Sequence, residues 1–529
     1  MKKKLGYCIG STKPNRVFFI TDKTVKIGEF VFIEYEEEDR DIKVLGMIQS
    51  LHRENPYLPE TTKSREQVEG IKRFSGKDIT LKGDINILGE IVEDGDKANL
   101  KLLKTPPPPA ADVYEADPDI LKKLFGAKDK RFIRIGKLLS QDEDVPVYIN
   151  VEQIVLRHLA ILAITGAGKS NTVSVLLQNI LNLNGTVLVF DFHGEYVKSE
   201  FKKGGKNRVN IIEPIINPAL LKPKEFASLV GIKPNAYIQL RYFKLALEHL
   251  INELEGEKGK NWQNYITTEE FLNRLKETVD SIRDEDSDIR QTRLKGKPRE
   301  ESLYEVLNKI EEMELELGHI IKLGAKPIIE KIKDGYINVI DFSEIDEETA
   351  DTICSNILMW SLEERKKAVR RGDTKLKKPL LIVIEEAHIL AGDKRNTQSK
   401  YYISRIAREG RKFGLGLVII TQRPKGLDKE ILSQMNNMII LKLVEPEDQK
   451  HVQSASEALS QELMSYLPSL NPGEAIIIGN MTRIPLLVKI DKAEGKIEGN
   501  DIPVVEEWQK EDEEEKKIEE DVLDFLEEI

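Results

Sequence analysis

The sequence predicts an α/β protein: a parallel sheet covered on both faces, preceded by a small β-barrel, interrupted by a helical insertion and followed by a C-terminal extension. Three observations predict it. Beyond Arg157, apolar runs alternate with helical stretches, as in a sheet buried between two helix layers. Before residue 105, short β-rich runs follow one another between turns, the spacing of a small closed barrel. Between residues 217 and 333, apolar residues recur every third or fourth position in polar surroundings, as on amphipathic helices.

In chain order, residues 1–105 carry the barrel runs "GYCIGS", "RVFFIT", "EFVFIEYE", "KVLGMIQSL", "INILGEIVE" and "NLKLLKT". Residues 106–150 are read as linker and lead-in, because "PPPP" at Pro106–Pro109 stops both helix and sheet before "RFIRIGKLL" and "VPVYINVEQIV" begin. The first part of the core is 151–216, with strands "HLAILAI" and "TVLVFDF". The insertion, 217–333, is expected to form a bundle from "YIQLRYFKLALEHLINELE", "TEEFLNRLKETVDSI" and "SLYEVLNKIEEMELELGHIIKL". The core resumes over 334–495 with "YINVIDF", "LLIVIEE", "LGLVIIT", "MIILKL", "GEAIIIGN" and "IPLLVKI". Finally, 496–529 is an acidic extension in which Ile518, Val522, Phe525 and Ile529 recur on one helical face, the pattern of a helix clasped onto a neighbouring subunit.

With 529 residues, the chain exceeds what one core organises. A net charge of -11 argues against a uniformly basic surface, so any nucleic acid must be met by positive charge concentrated in a loop or channel. Cys8 and Cys354 are too far apart in sequence for a zinc module and fit a reducing compartment. No segment approaches the roughly 18 uncharged apolar residues of a membrane span, and a cytoplasmic location without membrane attachment is expected.

"AITGAGKS", Ala163–Ser170, fits the phosphate-binding loop with Ala in place of the first Gly. It leaves an apolar strand and opens a helix, whose N-terminal amides and dipole attract an anion. Thr165, Gly166, Ala167, Gly168, Lys169, Ser170 and Asn171 form the expected nucleotide set. Lys169 would bridge the β- and γ-phosphates of ATP, and Ser170 would coordinate Mg²⁺. In "LLIVIEEAH", a buried strand delivers Glu385 and Glu386 to the edge where ligands sit in parallel sheets. Glu385 is expected to hold magnesium, directly or through water, and Glu386 to deprotonate the attacking water.

"DFHGEY" places Asp191, His193, Gly194 and Glu195 at the active-site edge or on a nucleic-acid-facing loop. "SRIAREGRKFG" carries Arg405, Arg408, Arg411 and Lys412, placed to meet the next subunit's nucleotide. Gln422 is a candidate sensor of the γ-phosphate, Arg423 serves phosphate or structure, and Arg157 is a second arginine acting within its own subunit.

Taken together, the barrel, "RHLAILAITGAGKSNTV", "DFHGEY", the insertion, "VIEEAH", "REGRKFGLGL" and "TQRP" resemble the archaeal HerA helicases, of the HerA/FtsK group of RecA-like P-loop ATPases. The resemblance spans nearly the whole chain. It implies a homohexamer with ATP and Mg²⁺ between neighbours, DNA in the central channel, a NurA-type nuclease docked on the barrel face, and an association with Mre11 and Rad50 in double-strand break repair and homologous recombination. By motif position it assigns Lys169 and Ser170 to ATP and Mg²⁺, Glu386 to catalysis, Arg157 to a cis arginine and Arg411 to the trans finger, with Arg408 the rival. Lys394, Arg395 and Lys400 are candidate channel residues. Two other readings compete: a membrane-linked DNA pump of the FtsK or conjugation type, and a non-hydrolysing ring scaffold for a nuclease. The missing membrane span opposes the first, and the Glu385–Glu386 pair opposes the second.

Overall fold

A computed structural model of the chain describes residues 3–494, apart from 55–56, 59–60, 63, 76–79, 96, 128, 141–143, 295, 373 and 457, together with Val504 and Trp508. The expected C-terminal clasp helix therefore lies outside the described residues.

The N-terminal sheet closes on itself in the order Arg16–Thr21, Lys4–Lys13, Asp112–Glu115, Phe30–Glu37, Arg40–Glu54 and Thr80–Asp94, the last pairing back onto the first. Lys97–Lys101 hairpins onto Thr80–Asp94. Closure removes exposed strand edges, and it draws in a strand from beyond the boundary set at residue 105. Past the prolines, Ala110 turns the chain with φ 69°, and Asp112–Glu115 pairs antiparallel with both Lys4–Lys13 and Phe30–Glu37. The lead-in strands also belong elsewhere than a linker. Phe132–Leu138 and Pro146–Asn150 form the outer edge of the central sheet, joined to it through Leu486–Ile490.

Among the described residues, that central sheet has eleven strands. Seven are parallel, in the order Val209–Ile212, Ile337–Asp341, Thr186–Asp191, Leu380–Ile384, Leu415–Thr421, Leu159–Leu162 and Asn437–Ile440. Val209–Ile212 is an edge strand too short to stand out in the sequence. The other parallel strands are wholly buried apart from Asp341, which accounts for their unbroken apolar runs. Helices Tyr237–Lys258, Thr268–Asp280 and Glu300–Leu317, which follow Val209–Ile212 and precede Ile337–Asp341 in the chain, pack against one another.

Local signals set the long helices. Glu347–Arg371 starts where Asp346 accepts the Glu348 and Thr349 N–H groups, and it ends at Gly372, left-handed at φ 75°. Its Asp351 accepts the backbone N–H groups of Gln398 (2.7 Å) and Ser399 (2.8 Å), fixing where the arginine-bearing helix Gln398–Glu409 begins.

At the amino edge of the parallel strands, His158 is buried with φ 61°. Its Nδ1 accepts the Leu417 N–H at 3.0 Å, which leaves Nε2–H to donate to the Ala407 carbonyl at 3.0 Å. Asn437 completes the web, donating to the carbonyls of Gln153 and His158 and accepting the Met481 N–H. Burial pushes the imidazole down to about 4 from 6.5. Between those values the unfolded chain holds a proton that the folded chain refuses. Stability from His158 is therefore complete above about 6.5 and is lost as pH falls toward 4. The Tm advantage of the wild type over His158→Gln should accordingly shrink across that interval in thermal melts. A pH-independent difference would mean that the imidazole is not held neutral.

Candidate nucleotide site and the arginine edge

The phosphate loop leaves the carboxyl end of Leu159–Leu162. Gly166 and Gly168 are left-handed, with φ 75° and 97°, and a Cβ on Gly168 would stand 3.0 Å from the Gly473 nitrogen. Glycine is therefore required there on two counts. Gly473 also donates its N–H to the Ala167 carbonyl at 2.9 Å, so the "NPGE" turn braces the loop, a contact that sequence motifs did not flag. Ala163 is buried outside the left-handed region, so the missing first glycine costs nothing here. Helix Lys169–Asn182 has no side-chain cap at its N-terminus, which leaves its first-turn amides available to an anion.

Three neighbouring strand ends converge on this loop. Because Leu415–Thr421 lies between the phosphate-loop strand and the carboxylate strand Leu380–Ile384, Gln422 stands centrally. Thr165 donates its hydroxyl to Gln422 Oε1, and Gln422 Nε2 donates to Glu386 Oε1 at 3.0 Å. Lys169 Nζ is 2.8 Å from the same Oε1 and 3.4 Å from Glu385 Oε1. His388 Nδ1 lies 3.3 Å from the other oxygen, Glu386 Oε2, and His193 Nε2 lies 3.8 Å from Oε1.

Burial dominates the electrostatics of this cluster. It works against the Lys169 charge, yet Glu385, Glu386 and Glu195 outweigh it and hold the ammonium above its usual range. Glu385, 0% exposed, is pushed up to about 8 by burial, only partly opposed by Lys169. Burial also raises Glu386, but His388 and Lys169 overcome it and bring the carboxyl down to about 2. Both Glu385 oxygens and Glu195 Oε2 are buried without a hydrogen-bond partner.

"DFHGEY" folds around its own aspartate. Asp191 accepts the N–H groups of His193, Glu195, Tyr196 and Val197 at 2.8–3.4 Å. Its loop thereby forms the active-site edge, with exposed His193 at the mouth and half-buried Glu195 inside. Ser170 is half-buried at the start of the helix. Asn171 departs from expectation. Its amide donates to the Asp491 carbonyl (2.8 Å) and accepts the Ala493 N–H (2.9 Å), so this side chain anchors the chain after the last strand rather than facing a nucleotide.

The arginines lie elsewhere. Arg157 ends helix Val151–Arg157 before the strand starts, and Arg405, Arg408 and Arg411 precede Leu415–Thr421, so all four occupy the amino edge of the sheet. A four-residue strand, about 13 Å long, separates Arg157 from its own phosphate loop. The assignment of Arg157 to its own subunit's nucleotide is therefore corrected: its helix packs against Gly410–Phe413, beside Arg411. Arg405 is held by Glu409 at 2.6 Å and Arg408 by Glu430 at 3.2 Å. Arg411 is exposed and, among the described residues, has no ion-pair partner.

The channel candidates divide similarly. Lys400 bonds Asp428 (2.9 Å) and the carbonyls of Gly392 and Asp393, and Arg395 pairs with Glu347, so these two channel candidates have partners within the single chain. Lys394 and Arg423 stay exposed.

Residues 5–90 match the family described as HAS barrel domain, 133–359 that described as Helicase HerA, central domain, and 323–485 that described as Helicase HerA-like C-terminal. The chain is 41% identical to a DNA double-strand break repair helicase HerA of Sulfurisphaera tokodaii, over 96% of this chain and 97% of the relative. With the protein of the same name from Saccharolobus solfataricus it shares 38% identity over 99% of both chains. Among solved structures it is distantly similar to VirB4 of Thermoanaerobacter pseudethanolicus, with a TM-score of 0.47 and 14% identity over 70% of this chain and 98% of that one. With a P-loop ATPase core behind a HAS-type barrel, and full-length identity at this level, the chain belongs to the HerA helicase family.

Proposed function

We propose that the chain is an ATP-dependent DNA helicase and translocase that works as a homohexameric ring, with DNA in the central channel and a NurA-type nuclease docked on the barrel face, in the resection of double-strand breaks. One observation carries this reading: the phosphate loop and carboxylates lie at the carboxyl edge of the sheet, whereas the unpaired Arg411 lies at the amino edge. One chain thus holds two halves of a site that cannot meet within it, and a head-to-tail ring brings them together at every interface. The relatives, named as DNA double-strand break repair helicases, support the choice of DNA and of repair. Exposed Lys394, repeated around a ring, would bring positive charge to a channel despite the net charge of -11.

Within each interface, Lys169 and the first-turn amides hold the phosphates of ATP, while Glu386 Oε1 faces the loop and takes the proton of the attacking water. Gln422 links the base to Thr165 on the loop, so it can register the γ-phosphate. Glu385, with two buried oxygens free of hydrogen bonds, and the Ser170 hydroxyl are hard donors that fit Mg²⁺. Held there by Glu385 and Ser170, a magnesium ion would neutralise phosphate charge. Association with Mre11 and Rad50 is part of the same proposal, as is the clasp made by residues 496–529. No helix among the described residues is long and apolar enough to cross a membrane, which agrees with the proposed cytoplasmic location.

ATP turnover measured with and without DNA ends tests the reading. DNA stimulation is expected; turnover indifferent to DNA would favour the ring-scaffold alternative, and pumping without strand separation would favour a pump of the FtsK or conjugation type. Lys169→Ala is expected to lower turnover by about 100-fold or more while preserving the circular-dichroism spectrum, and substantial residual hydrolysis would remove the site assignment. Arg411→Ala should lower turnover about 1,000-fold with ATP binding retained, and Arg408→Ala much less. If the site is shared, mixing Lys169→Ala with Arg411→Ala restores about a quarter of the interfaces. A mixture as inactive as its components would show that Arg411 does not act across subunits.

A further inference from the structure

We propose that His388 is a positioning residue for the reaction: it fixes one oxygen of the general base Glu386 so that the other is left to accept the water's proton. The inference rests on the reading of Glu386 as that base, and it grows from how the carboxylate's two oxygens are used. Lys169 and Gln422 both bond Oε1, the oxygen toward the phosphate loop. His388 is the side chain on Oε2, with Nδ1 at 3.3 Å.

The ring is itself fixed. Its Nδ1 also lies 3.1 Å from the hydroxyl of Thr421, which is fully buried at the end of Leu415–Thr421 and accepts the Arg423 N–H at 3.0 Å. With hydrogen on Nδ1, the imidazole bonds Thr421 Oγ1 and presents the same N–H edge to Glu386 Oε2 at 3.3 Å, tying the base to the strand that carries Gln422.

A phosphate entering the loop competes with Oε1 for the Lys169 ammonium. As that ion pair loosens, Oε1 loses its strongest partner and becomes free to meet a water. Gln422 then remains on Oε1, and without an anchor on Oε2 the carboxylate would pivot about its terminal torsion, which is soft. The Oε2–His388 contact supplies that anchor, and it does not depend on the loop. The effect of His388 is therefore on the geometry of proton abstraction and not on nucleotide binding, since among the described residues its imidazole makes its polar contacts with Thr421 and Glu386 rather than with the phosphate loop.

The experiment uses the full-length chain, steady-state ATP turnover and equilibrium binding of a non-hydrolysable ATP analogue. His388→Ala is expected to lower kcat about 10- to 100-fold, less than the roughly 10²- to 10⁴-fold that a general base contributes, with KM and analogue affinity changed by no more than about twofold. His388→Asn, whose amide N–H stands near the position of Nδ1, is expected to recover most of kcat. An unchanged kcat in His388→Ala would overturn the proposal. So would equal losses of kcat and analogue binding, or an Asn variant no better than Ala. Glu386→Gln separates the two levels of the argument: if it retains turnover, the general-base reading fails; if it is inactive while His388→Ala is silent, only the positioning role fails.

Discussion

The Lys169–Glu386 ion pair, 2.8 Å long with both side chains at most 7% exposed, is the contact around which the site is organised. Neither partner tolerates burial alone. An unpaired ammonium or carboxylate at this depth would be driven toward its neutral form, as burial already pushes the neighbouring Glu385, whose oxygens find no hydrogen bond, up to about 8. The pair keeps both charges that phosphate chemistry needs, the cation for the γ-phosphate and the anion for the water. Under the proposed mechanism it also sets the order of events, because Glu386 cannot act as a base while a lysine occupies its reactive oxygen.

Strand order makes that contact possible. If Leu380–Ile384 were next to Leu159–Leu162, the two glutamates would sit beside the loop with no side chain between them. Insertion of Leu415–Thr421 opens a gap one strand wide, about 4.8 Å, and Gln422 fills it with one hand on Thr165 and the other on Glu386. The same strand begins at the opposite edge, where its Leu417 N–H is held by His158 and its preceding turn carries Arg411. A single strand therefore joins Gln422, beside the phosphate loop, to the turn that carries Arg411.

Much of this was legible in the sequence, for a physical reason. Strands buried on both faces must be apolar throughout, and phosphate loops must have glycine where φ is positive, so the core strands and Gly166–Lys169 announce themselves. Less visible was whatever depends on partners distant in the chain. Asp112–Glu115 joins the barrel because closure demands it, and nothing in four residues of "DVYE" says so. Asn171 reads as part of the loop motif until Asp491 and Ala493 claim it. Arg157 is adjacent to the site strand in sequence but on the wrong edge in space, a distinction that needs strand direction. Arg408 and Arg411 are indistinguishable as letters; Glu430, reached only through the fold, pairs one and leaves the other.

Backbone strain marks the same two edges. His158 with φ 61° and Glu386 with φ 41° are non-glycine residues in the left-handed region, where an L-residue is disfavoured by roughly 1–2 kcal/mol. Each is held there by its side chain: His158 by Ala407 and Leu417, Glu386 by Lys169, Gln422 and His388. Glycine would relieve either backbone and discard the group that justifies the turn. At Glu386 the turn lifts the carboxylate off the strand axis toward the loop, with the Ala387 N–H returning to the Ile420 carbonyl. Glu386 turns where Leu380–Ile384 ends beside the phosphate loop, and His158 turns where Leu159–Leu162 begins beside the arginine-bearing turn, two chain directions that a regular strand end does not take.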